Sequence, residues 1–309
     1  MPLNGGACFL YLRAKKMIPV SIVPLLEKNL LQHTGLSAEI SECRAIGGGS
    51  INDACKLQYG NSHFFVKWND AGRYPGMFET EAKGLHLLKQ SDALYIPEVI
   101  ATAKSNETSF ILMEYIEQGR GDRHFWEVFG TRLAKMHRHT ADSFGLDHDN
   151  YIGSLPQYNA QKAGWPDFFT EQRLEPQLKM ARDTGLADRS LSRSFQQLYN
   201  KMGDLFPTEP PALLHGDLWS GNYLCNSEKQ AVLIDPAVYY GHREMDLGMS
   251  QLFGGFDAAF YTAYDAAWPL EKGWQQRLHL CNLYPLMVHV NLFGSGYLGQ
   301  VKRILRHYV

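Results

Sequence analysis

The segment LLHGDLWSGNYL, residues 213–224, constrains the fold and chemistry of this chain more than any other stretch. It places a His, an Asp, a Trp and an Asn between apolar flanks of the kind that form short strands. A second segment, LIDPA (233–237), places Asp235 18 positions after Asp217. A single Asp–Asn pair in a loop is usually turn chemistry, so the interpretation depends on the rest of the chain.

The first third of the chain is rich in strand signals. Short apolar alternations are separated by Gly-rich or Asn-rich turns, which predicts an antiparallel meander. Apolar residues at helical spacing predict helices over 18–35, closed by Gly35, and over 77–90. The predicted strands are 40–47, 51–60, 62–69, 97–104 and 108–116.

Helical patterns dominate after residue 122. They cover 125–140, parts of 165–206, and the tail from Met245, which Pro269 and Pro285 are expected to interrupt. The segment 231–238 is typical of a strand that enters a turn. Strands followed by helices predict an α+β protein with two lobes and a hinge near 116–122.

The predicted boundaries give an N-lobe over 17–116 and a C-lobe over 117–309. The N-lobe is expected to combine an antiparallel sheet with a helix, and the larger C-lobe to be mainly helical. Residues 1–16 are predicted to be a disordered extension, with translation starting at either Met1 or Met17.

Composition excludes several classes of function. The net charge is −2, without the basic excess that nucleic-acid binding requires. No apolar run reaches the roughly 18 residues that cross a membrane. The 5 cysteines are scattered without a C-x-x-C pair, which predicts free thiols and a cytoplasmic location. We expect a monomer.

Several segments match the needs of phosphoryl transfer when they are taken in order. A glycine-rich turn, AIGGGSIND (45–53), can bring backbone N–H groups close to phosphate oxygens. Lys67 in FFVKW can neutralise phosphate charge, and Glu81 on the next helix can hold that lysine, with Glu79 as the second candidate. An Asp–Asn pair five positions apart and a later Asp can orient a hydroxyl and hold Mg²⁺.

With these motifs in place, the sequence resembles the fructosamine kinase (ketosamine-3-kinase) family, within the aminoglycoside and choline kinase-like group. The stretches that carry the resemblance cover most of residues 18–300. They are GGGSIND, FFVKWN, MFETEAKGLHLL, ILMEYI, NYIGSLPQYN, LLHGDLWSGNYL, LIDPAVYYGHREMDLGM and LYPLMVHVNLFG.

The resemblance implies a protein-kinase-like fold and ATP- and Mg²⁺-dependent phosphorylation of the C3 hydroxyl of a ketosamine. A ketosamine is a sugar joined to an amine after an Amadori rearrangement. Its 3-phosphate is unstable and separates from the amine, so the family is linked to the repair of glycated amines and proteins.

The resemblance also implies a role for each matching residue. Asp217 is the catalytic base, and Asn222 and Asp235 are the Mg²⁺ ligands. Trp219 is expected to stack on the sugar or on its amine carrier. The residues expected to bind ATP are Gly47, Gly48, Gly49, Ser50, Lys67, Glu81, Met113, Glu114, Tyr115 and Ile116.

Two motifs depart from the patterns of relatives. The glycine turn is G-G-G-S, and some relatives carry Cys at the position of Ser50, so a thiol switch there is absent. The metal loop is D-P-A in place of the protein-kinase D-F-G, and Pro236 stiffens it. An in/out flip of this loop is therefore not expected.

Other polar and aromatic residues have a structural interpretation first. His215 is expected to brace the catalytic loop, and His137 to pack within a helix rather than bind metal. Glu244 and Asp246 are expected to be buried acids that hold the catalytic loop or cap the next helix. Loop ordering is predicted for Asn150, Gln157 and Asn159, and core packing for Trp165, Phe168 and Phe169.

Two alternatives to a ketosamine kinase stay open. One is a kinase for another hydroxylated amine, such as an aminoglycoside or choline. The other is a nucleotide-binding pseudokinase scaffold, against which the retention of Lys67, Asp217, Asn222 and Asp235 argues.

Overall fold

The computed structural model describes residues 18–47 and 51–309. The predicted N-terminal extension, Met17 and the glycine-turn residues 48–50 lie outside the described residues. The chain forms two compact units. The first contains the described residues up to His86 together with Ile96–Gln118, and the second contains Leu87–Tyr95 and Gly119–Val309.

The first unit is built on a five-stranded antiparallel sheet in the order β1-β2-β3-β5-β4. The strands agree with the predicted meander within a few residues, and both predicted helices are present. The elements are α1 (Val23–Thr34), β1 (Ile40–Ala45), β2 (Asp53–Tyr59), β3 (Ser62–Asp70), α2 (Met77–Gln90), β4 (Val99–Ser105) and β5 (Thr108–Glu114).

Strand β3 separates two environments because its side chains alternate between the faces of the sheet. Phe64, Val66 and Trp68 join the apolar cluster that also contains Leu26 of α1. Lys67 points the other way, and its Nζ lies 5.9 Å from the centre of the Phe78 ring on α2. The alternation of β3 therefore carries a buried lysine to the face of the sheet that α2 covers.

The prediction of free thiols is wrong for two of the cysteines. Cys43 on β1 and Cys55 on β2 form a disulfide, with their Cα atoms 5.9 Å apart. The antiparallel register opposes Cys43 to Leu57 and Cys55 to Ala45, which places the two cysteines diagonally across the strand pair. Their 12-residue separation in sequence does not reveal this proximity. The expectation of a reducing compartment rested on free thiols, so this disulfide removes the support that the cysteines gave it.

The second unit is mainly helical, with three short two-stranded sheets. No helix within residues 18–47 and 51–309 combines the length and the apolar character needed to cross a bilayer. The elements of the second unit are α3 (Arg123–His137), β6 (Asn150–Ile152), β7 (Leu155–Gln157), α4 (Trp165–Phe168), a π-helical turn (Phe169–Leu174), α5 (Glu175–Asp183), α6 (Arg189–Tyr199), α7 (Met202–Leu205), β8 (Ala212–Leu214), β9 (Tyr223–Cys225), β10 (Ala231–Leu233), β11 (Tyr239–Gly241), α8 (Glu244–Gln251), a 3₁₀ turn (Leu252–Gly254), α9 (Ala258–Ala267), α10 (Trp274–Cys281), α11 (Leu283–Phe293), a 3₁₀ turn (Ser295–Tyr297) and α12 (Leu298–Tyr308).

The two prolines of the C-terminal tail behave differently. Pro269 lies between α9 and α10, as predicted. Pro285 does not interrupt a helix, because it occupies the first turn of α11, where a proline sacrifices no intrahelical hydrogen bond. The break falls at Asn282 instead, between α10 and α11.

The buried His242 makes the stability of the second unit sensitive to acid. It is fully buried, with its ring centroid 5.1 Å from that of Phe206 and 5.9 Å from that of Trp165. Burial lowers the pKa of His242 to about 4. Between pH 6.5 and pH 4, His242 therefore binds a proton in the unfolded chain but not in the folded chain. Because the unfolded chain binds more protons, the free energy of unfolding decreases as the pH falls from 6.5 towards 4.

We expect the wild-type protein to lose about 2 kcal/mol more unfolding free energy than His242→Gln between pH 7 and pH 5. Urea unfolding at the two pH values measures this difference. His124→Gln is the matched control, since the His124 side chain is 82% exposed. Equal losses in the wild type and in His242→Gln would remove His242 from this role.

Candidate active site

The catalytic loop connects β8 to β9 and contains both Asp217 and Asn222. β8 pairs with β11, which follows the segment containing Asp235. The Ile234 N–H donates to Asn222 O at 3.1 Å, and the Ala237 N–H donates to His215 O at 2.9 Å. The strand pairing and these two backbone bonds hold the catalytic loop beside the Asp235 loop.

Asn222 joins the two carboxylate-bearing loops. Its Nδ2 donates to Asp217 Oδ2 at 2.8 Å and to Asp217 O at 2.9 Å, with Asp235 O a further 3.4 Å contact. Because the amide nitrogen is engaged by the protein, Oδ1 is the atom of the Asn222 side chain that could bind a metal. An amide oxygen beside two carboxylates is the hard oxygen donor set that suits Mg²⁺.

Among residues 18–47 and 51–309, no group of three or more His, Cys, Asp or Glu side chains is arranged to hold a metal. The site therefore offers two carboxylates and an amide rather than a complete protein cage. Mg²⁺ commonly takes one or two carboxylates and completes its shell with water and substrate phosphates. The donor set fits a metal bound together with a nucleotide.

Gly216 permits the close approach of the two loops. Its φ is +83°, and a Cβ at this position would lie 2.0 Å from Ala237 O. Any other residue would meet both backbone strain and a clash with the Asp235 loop. Asp235 itself has a φ of +53° without being glycine, which places backbone strain in the Asp235 loop at the residue that carries the carboxylate.

Asp246, in the first turn of α8, accepts two hydrogen bonds from the backbone of the catalytic loop. Its Oδ2 accepts from the His215 N–H at 2.7 Å, and its Oδ1 accepts from the Gly216 N–H at 2.9 Å. Oδ2 also lies 3.2 Å from His137 Nε2, and His137 Nδ1 lies 2.8 Å from Tyr264 Oη. The structural interpretation of Asp246 and the packed role of His137 are both confirmed.

Glu244 has a different partner from Asp246. It is fully buried and forms an ion pair with Arg277, at 2.6 Å between Nη2 and Oε1. It is a buried structural acid, as predicted, but its ion pair ties α8 to α10 and does not reach the catalytic loop.

The hydrogen bonds of the two ring nitrogens determine the tautomer of His215. Its Nε2 lies 2.9 Å from Ile234 O and must carry the proton, while Nδ1 accepts from the Asp217 N–H at 3.2 Å. Burial lowers the pKa of His215, which keeps the ring neutral. His215 braces the backbone of Asp217, as predicted, rather than supplying a proton.

Burial raises the pKa of Asp217 to about 7. The negative charges of Asp235 and Asp246 act in the same direction, while the hydrogen bond from Asn222 opposes them. A carboxyl group with a pKa near neutrality is suited to accept a proton from a hydroxyl.

The polar hairpin β6–β7 orders the end of the Asp235 loop. Asn150 Nδ2 donates to Val238 O at 2.8 Å, and Gln157 Nε2 donates to Ala237 O at 3.0 Å and to Asn150 Oδ1 at 2.8 Å. The predicted loop-ordering role of these amides is confirmed. Asn159 contributes through Asn150 Oδ1, to which its Nδ2 donates at 3.0 Å.

Sequence reasoning missed Arg173, which supports this hairpin. Arg173 lies on the π-helical turn, is fully buried, and donates from Nη2 to Asn159 Oδ1 at 2.7 Å. Its guanidinium carbon lies 3.9 Å from the centre of the Tyr239 ring. The signal in the sequence was weak, because one arginine within a helical pattern is usually solvated.

Lys67 and Glu81 form the predicted ion pair in the first unit. The Nζ lies 2.7 Å from Oε1 and 2.9 Å from Oε2, and both side chains are almost fully buried. Glu79 is exposed, which excludes it as the partner. The amphipathic pattern of α2 decides between the two glutamates, because Phe78, Ala82 and Leu85 are buried beside Glu81.

The glycine turn is described only at its two ends. Gly47 is described, while Gly48, Gly49 and Ser50 lie outside the described residues. The far arm of the turn is anchored by Asn52, whose Oδ1 accepts from Asn69 Nδ2 at 3.0 Å. Asn69 Oδ1 in turn accepts from Ser109 Oγ at 2.6 Å.

The four residues expected near adenine lie at the end of β5 and just beyond it. Met113 and Ile116 are buried, and Glu114 and Tyr115 are half-buried. The Glu114 N–H donates to Glu98 O at 2.9 Å, so the expectation rests on the other backbone groups of this stretch.

Trp219 is half-buried within the catalytic loop. Its backbone N–H donates to Asp217 O at 3.2 Å, and a Cβ on Gly221 would lie 2.4 Å from the indole, so a side chain at position 221 would displace the ring. The predicted core role of the other aromatic group is confirmed, since Trp165, Phe168 and Phe169 are buried in the apolar cluster of the second unit.

The two units and the paired loops define a protein-kinase-like fold. The crystal structure of a thermostable mutant of the aminoglycoside phosphotransferase APH(4)-Ia shares this fold, with a TM-score of 0.58 at 17% identity, over 91% of this chain and 98% of that one. The chain belongs to the fructosamine kinase family, whose model, "Fructosamine kinase", matches residues 23–309.

Individual relatives match along most of their length. A provisionally named ketoamine kinase of Synechocystis sp. is 40% identical over 91% of this chain and 95% of its own. The chloroplastic protein-ribulosamine 3-kinase of Arabidopsis thaliana is 39% identical over 89% of this chain and 85% of its own. The crystal structure of a provisionally named fructosamine-3-kinase from Thermobifida fusca has a TM-score of 0.82 at 34% identity, over 91% of this chain and 97% of that one.

Proposed function

We propose that this chain is an ATP- and Mg²⁺-dependent kinase that phosphorylates the C3 hydroxyl of ketosamines of the fructosamine or ribulosamine type. The observation that carries the proposal is the hydrogen-bonded Asp217–Asn222 pair beside the Asp235 loop, in a chain of the fructosamine kinase family. The names of the Synechocystis and Arabidopsis relatives support the same class of acceptor.

Asp217 is the proposed catalytic base. Its carboxyl has a pKa near neutrality, and Asn222 holds one of its oxygens at 2.8 Å. The base orients the acceptor hydroxyl and takes its proton as the new O–P bond forms. Asp246 and the His215 ring fix the backbone N–H groups of residues 215–217, so the carboxylate keeps its position through the reaction.

Asn222 Oδ1 and the Asp235 carboxylate are the proposed metal ligands, as their donor set indicates. Mg²⁺ bound there would neutralise the charge that develops on the phosphate oxygens. Gly216 and the Ala237–His215 bond keep the two ligand loops in register. Because nearby carboxylates would otherwise repel ATP, we expect turnover to be lost when EDTA removes the metal.

The nucleotide-binding assignment is also a proposal. Lys67, buried and oriented by Glu81, is placed to neutralise the α- and β-phosphates. The glycine turn 47–50 is proposed to cover the phosphates, and residues 113–116 to contact adenine. In this proposal, residues 17–116 bind the nucleotide, and residues 117–309 carry the catalytic loop and the acceptor site.

The proposed product explains a repair function. Loss of a proton from C1 gives an enaminol with a C1=C2 double bond, from which the C3–O bond breaks and phosphate leaves as a C1=N imine forms. Water then hydrolyses this imine, which frees the amine and leaves a 3-deoxy dicarbonyl sugar. This chemistry would reverse glycation of small amines or of protein lysines. A monomeric state and a cytoplasmic location also stay predictions.

The second candidate acceptor is another hydroxylated amine, such as an aminoglycoside or choline. The fold alone is shared with APH(4)-Ia, at 17% identity, so this candidate receives less support than ketosamines. A pseudokinase scaffold is the third candidate, and it would bind nucleotide without turnover.

An acceptor panel separates these candidates. We expect MgATP-dependent ADP release with fructosyl-, ribulosyl- or erythrulosyl-amines, and much less with choline or an aminoglycoside. Turnover only with the last two would replace the proposed acceptor. Turnover that survives EDTA would contradict the metal requirement, and ATP binding without turnover of any acceptor would favour the scaffold.

A further inference from the structure

Three buried amide side chains connect the π-helical turn to the Asp235 loop. At the loop, Gln157 Nε2 donates to Ala237 O at 3.0 Å, and Asn150 Nδ2 donates to Val238 O at 2.8 Å. These two carbonyl groups belong to the residues two and three positions after Asp235. The amides therefore hold the backbone that carries a proposed metal ligand.

We propose that Arg173 is a positioning residue for the Asp235 carboxylate. It acts by fixing the direction of the hydrogen bonds in the amide network, which consists of Asn159, Asn150 and Gln157. The proposal rests on the proposed function, because it concerns the affinity of the proposed Mg²⁺ site. It adds a determinant of that affinity that lies outside the two loops of the site.

The Arg173 guanidinium is buried without a carboxylate partner. Its Nη1 donates to backbone carbonyl oxygens and its Nη2 to Asn159 Oδ1 at 2.7 Å, and no carboxylate in the described parts of the chain pairs with it. Three aromatic rings surround it, with their centres between 3.9 and 5.4 Å from the guanidinium carbon. A buried cation is costly unless its donors are satisfied, so the bond to Asn159 is strongly favoured. The three rings are those of Phe168, Tyr239 and Tyr284.

A guanidinium only donates hydrogen bonds, so Arg173 allows the Asn159 amide one orientation. The amide oxygen faces Arg173, and Nδ2 is turned to Asn150 Oδ1, to which it donates at 3.0 Å. Asn150 Oδ1 also accepts from Gln157 Nε2 at 2.8 Å, which leaves the Asn150 nitrogen to donate to Val238 O. Each amide fixes the next one, and the last donors of the network end on the Asp235 loop.

The far end of the amide network also depends on the surroundings of Arg173. Tyr284 Oη donates to Gln157 Oε1 at 2.8 Å, which turns Gln157 Nε2 towards Asn150 and Ala237. The Tyr284 ring has its centre 5.4 Å from the Arg173 guanidinium carbon. Loss of the guanidinium would therefore disturb the network at Asn159 and at Gln157.

The Asp235 loop needs this support because its backbone is strained. Asp235 has a φ of +53°, and a strained residue keeps its conformation only where its surroundings fix it. Ala237 is held on both sides, since its N–H donates to His215 O at 2.9 Å and its carbonyl oxygen accepts from Gln157. Without the second bond, the Ala237 peptide could turn and the Asp235 carboxylate would move relative to Asn222.

The test replaces the charge of Arg173 and varies Mg²⁺. Arg173→Met keeps the length of the side chain but removes its charge and its donors. We expect the free Mg²⁺ concentration for half-maximal turnover to rise about tenfold, because groups that orient metal ligands commonly have effects of this size. Raising Mg²⁺ should recover most of kcat. Arg173→Lys keeps a charged donor for Asn159 and should restore most of the Mg²⁺ affinity, while Arg182→Met, in an exposed ion pair on α5, is the matched control with the wild-type value.

Calorimetric titration with ADP at several free Mg²⁺ concentrations examines the same site without turnover. Mg²⁺ should tighten ADP binding by the wild type, and Arg173→Met should shift this dependence about tenfold to higher Mg²⁺. Its affinity for ADP in EDTA should equal that of the wild type, which a general structural defect would not preserve.

Asn159→Asp separates the positioning role from a folding defect. The new carboxylate can still accept from Arg173, so the buried cation keeps a partner and Tm should stay near the wild-type value. It cannot donate to Asn150 Oδ1, so the variant should show the same shift in Mg²⁺ dependence as Arg173→Met.

An unchanged Mg²⁺ dependence in Arg173→Met and Asn159→Asp would overturn the role of Arg173 alone. An equal loss of ADP affinity with Mg²⁺ and in EDTA would also overturn it. ADP binding by the wild type that does not respond to Mg²⁺ would overturn this proposal together with the proposed metal site. A shifted Mg²⁺ dependence of ADP binding, in a protein that turns over no ketosamine, would support the role of Arg173 and contradict the proposed acceptor.

Discussion

Asp217→Asn should lower kcat by about 10²- to 10⁴-fold while leaving nucleotide binding intact. Asparagine preserves the shape of the side chain and its contact with Asn222, but it cannot take a proton from the acceptor hydroxyl. Because the braces from His215 and Asp246 reach the loop backbone, the loop should keep its conformation in the variant. Steady-state ADP release and calorimetric titration with MgATP measure the two effects separately.

Asp204→Asn, at an exposed position in α7, is the matched control for the loss of a carboxylate from the second unit. It should have wild-type turnover. A near-normal kcat in Asp217→Asn would remove Asp217 from its catalytic role. Loss of MgATP binding together with turnover would instead assign it to nucleotide or metal binding.

Lys67→Met should lower kcat/KM for MgATP by about 100-fold or more, because the phosphates lose their buried positive charge. It should also destabilise the first unit, since the buried Glu81 would lose its ion pair with Lys67. Breaking a buried ion pair in this way typically costs about 3–5 kcal/mol. Activity assays and urea unfolding measure the two losses.

A double-mutant cycle with Glu81→Gln tests how the two residues act together. If Glu81 works only by orienting Lys67, its replacement should matter in the wild type and change turnover little in the Lys67→Met background. Glu79→Gln is the control on the exposed face of the same helix. An equal effect of Glu81→Gln in both backgrounds would show that Glu81 contributes independently of Lys67.

Local patterns predicted most of the elements of this fold. The spacing of Phe78, Ala82, Leu85 and Leu88 predicted the buried face of α2, and its bounds agree with Met77–Gln90. The apolar neighbours Phe65, Val66 and Trp68 indicated a half-buried Lys67, and the structure buries it further, at 4% exposure. Such patterns succeed because burial repeats with the period of the element itself.

Contacts set by strand register or by distant elements were not visible in the sequence. The Cys43–Cys55 disulfide depends on the pairing of β1 with β2. Arg173 acts through a π-helical turn, where a helical pattern gives no sign of its buried partners. For Asp246, the sequence predicted a buried acid that holds the catalytic loop or caps a helix, and only the structure decides for the loop. A cavity lined by Trp219, Met249, Phe253, His289, Phe293 and Tyr297 gathers side chains from the catalytic loop, α8, two 3₁₀ turns and α11, which no local pattern connects.

The candidate site was more predictable than these contacts, since Asp217, Asn222 and Asp235 belong to short motifs with fixed spacing.

The most direct test of the central claim is ³¹P NMR of the product formed from MgATP and a ribulosyl- or fructosyl-amine, with Asp217→Asn as the blank. We predict a new phosphate ester whose phosphorus couples to the proton on C3, followed by release of the amine. An ester on another carbon, or ADP formation without a new ester, would contradict the assignment of this chain as a ketosamine 3-kinase.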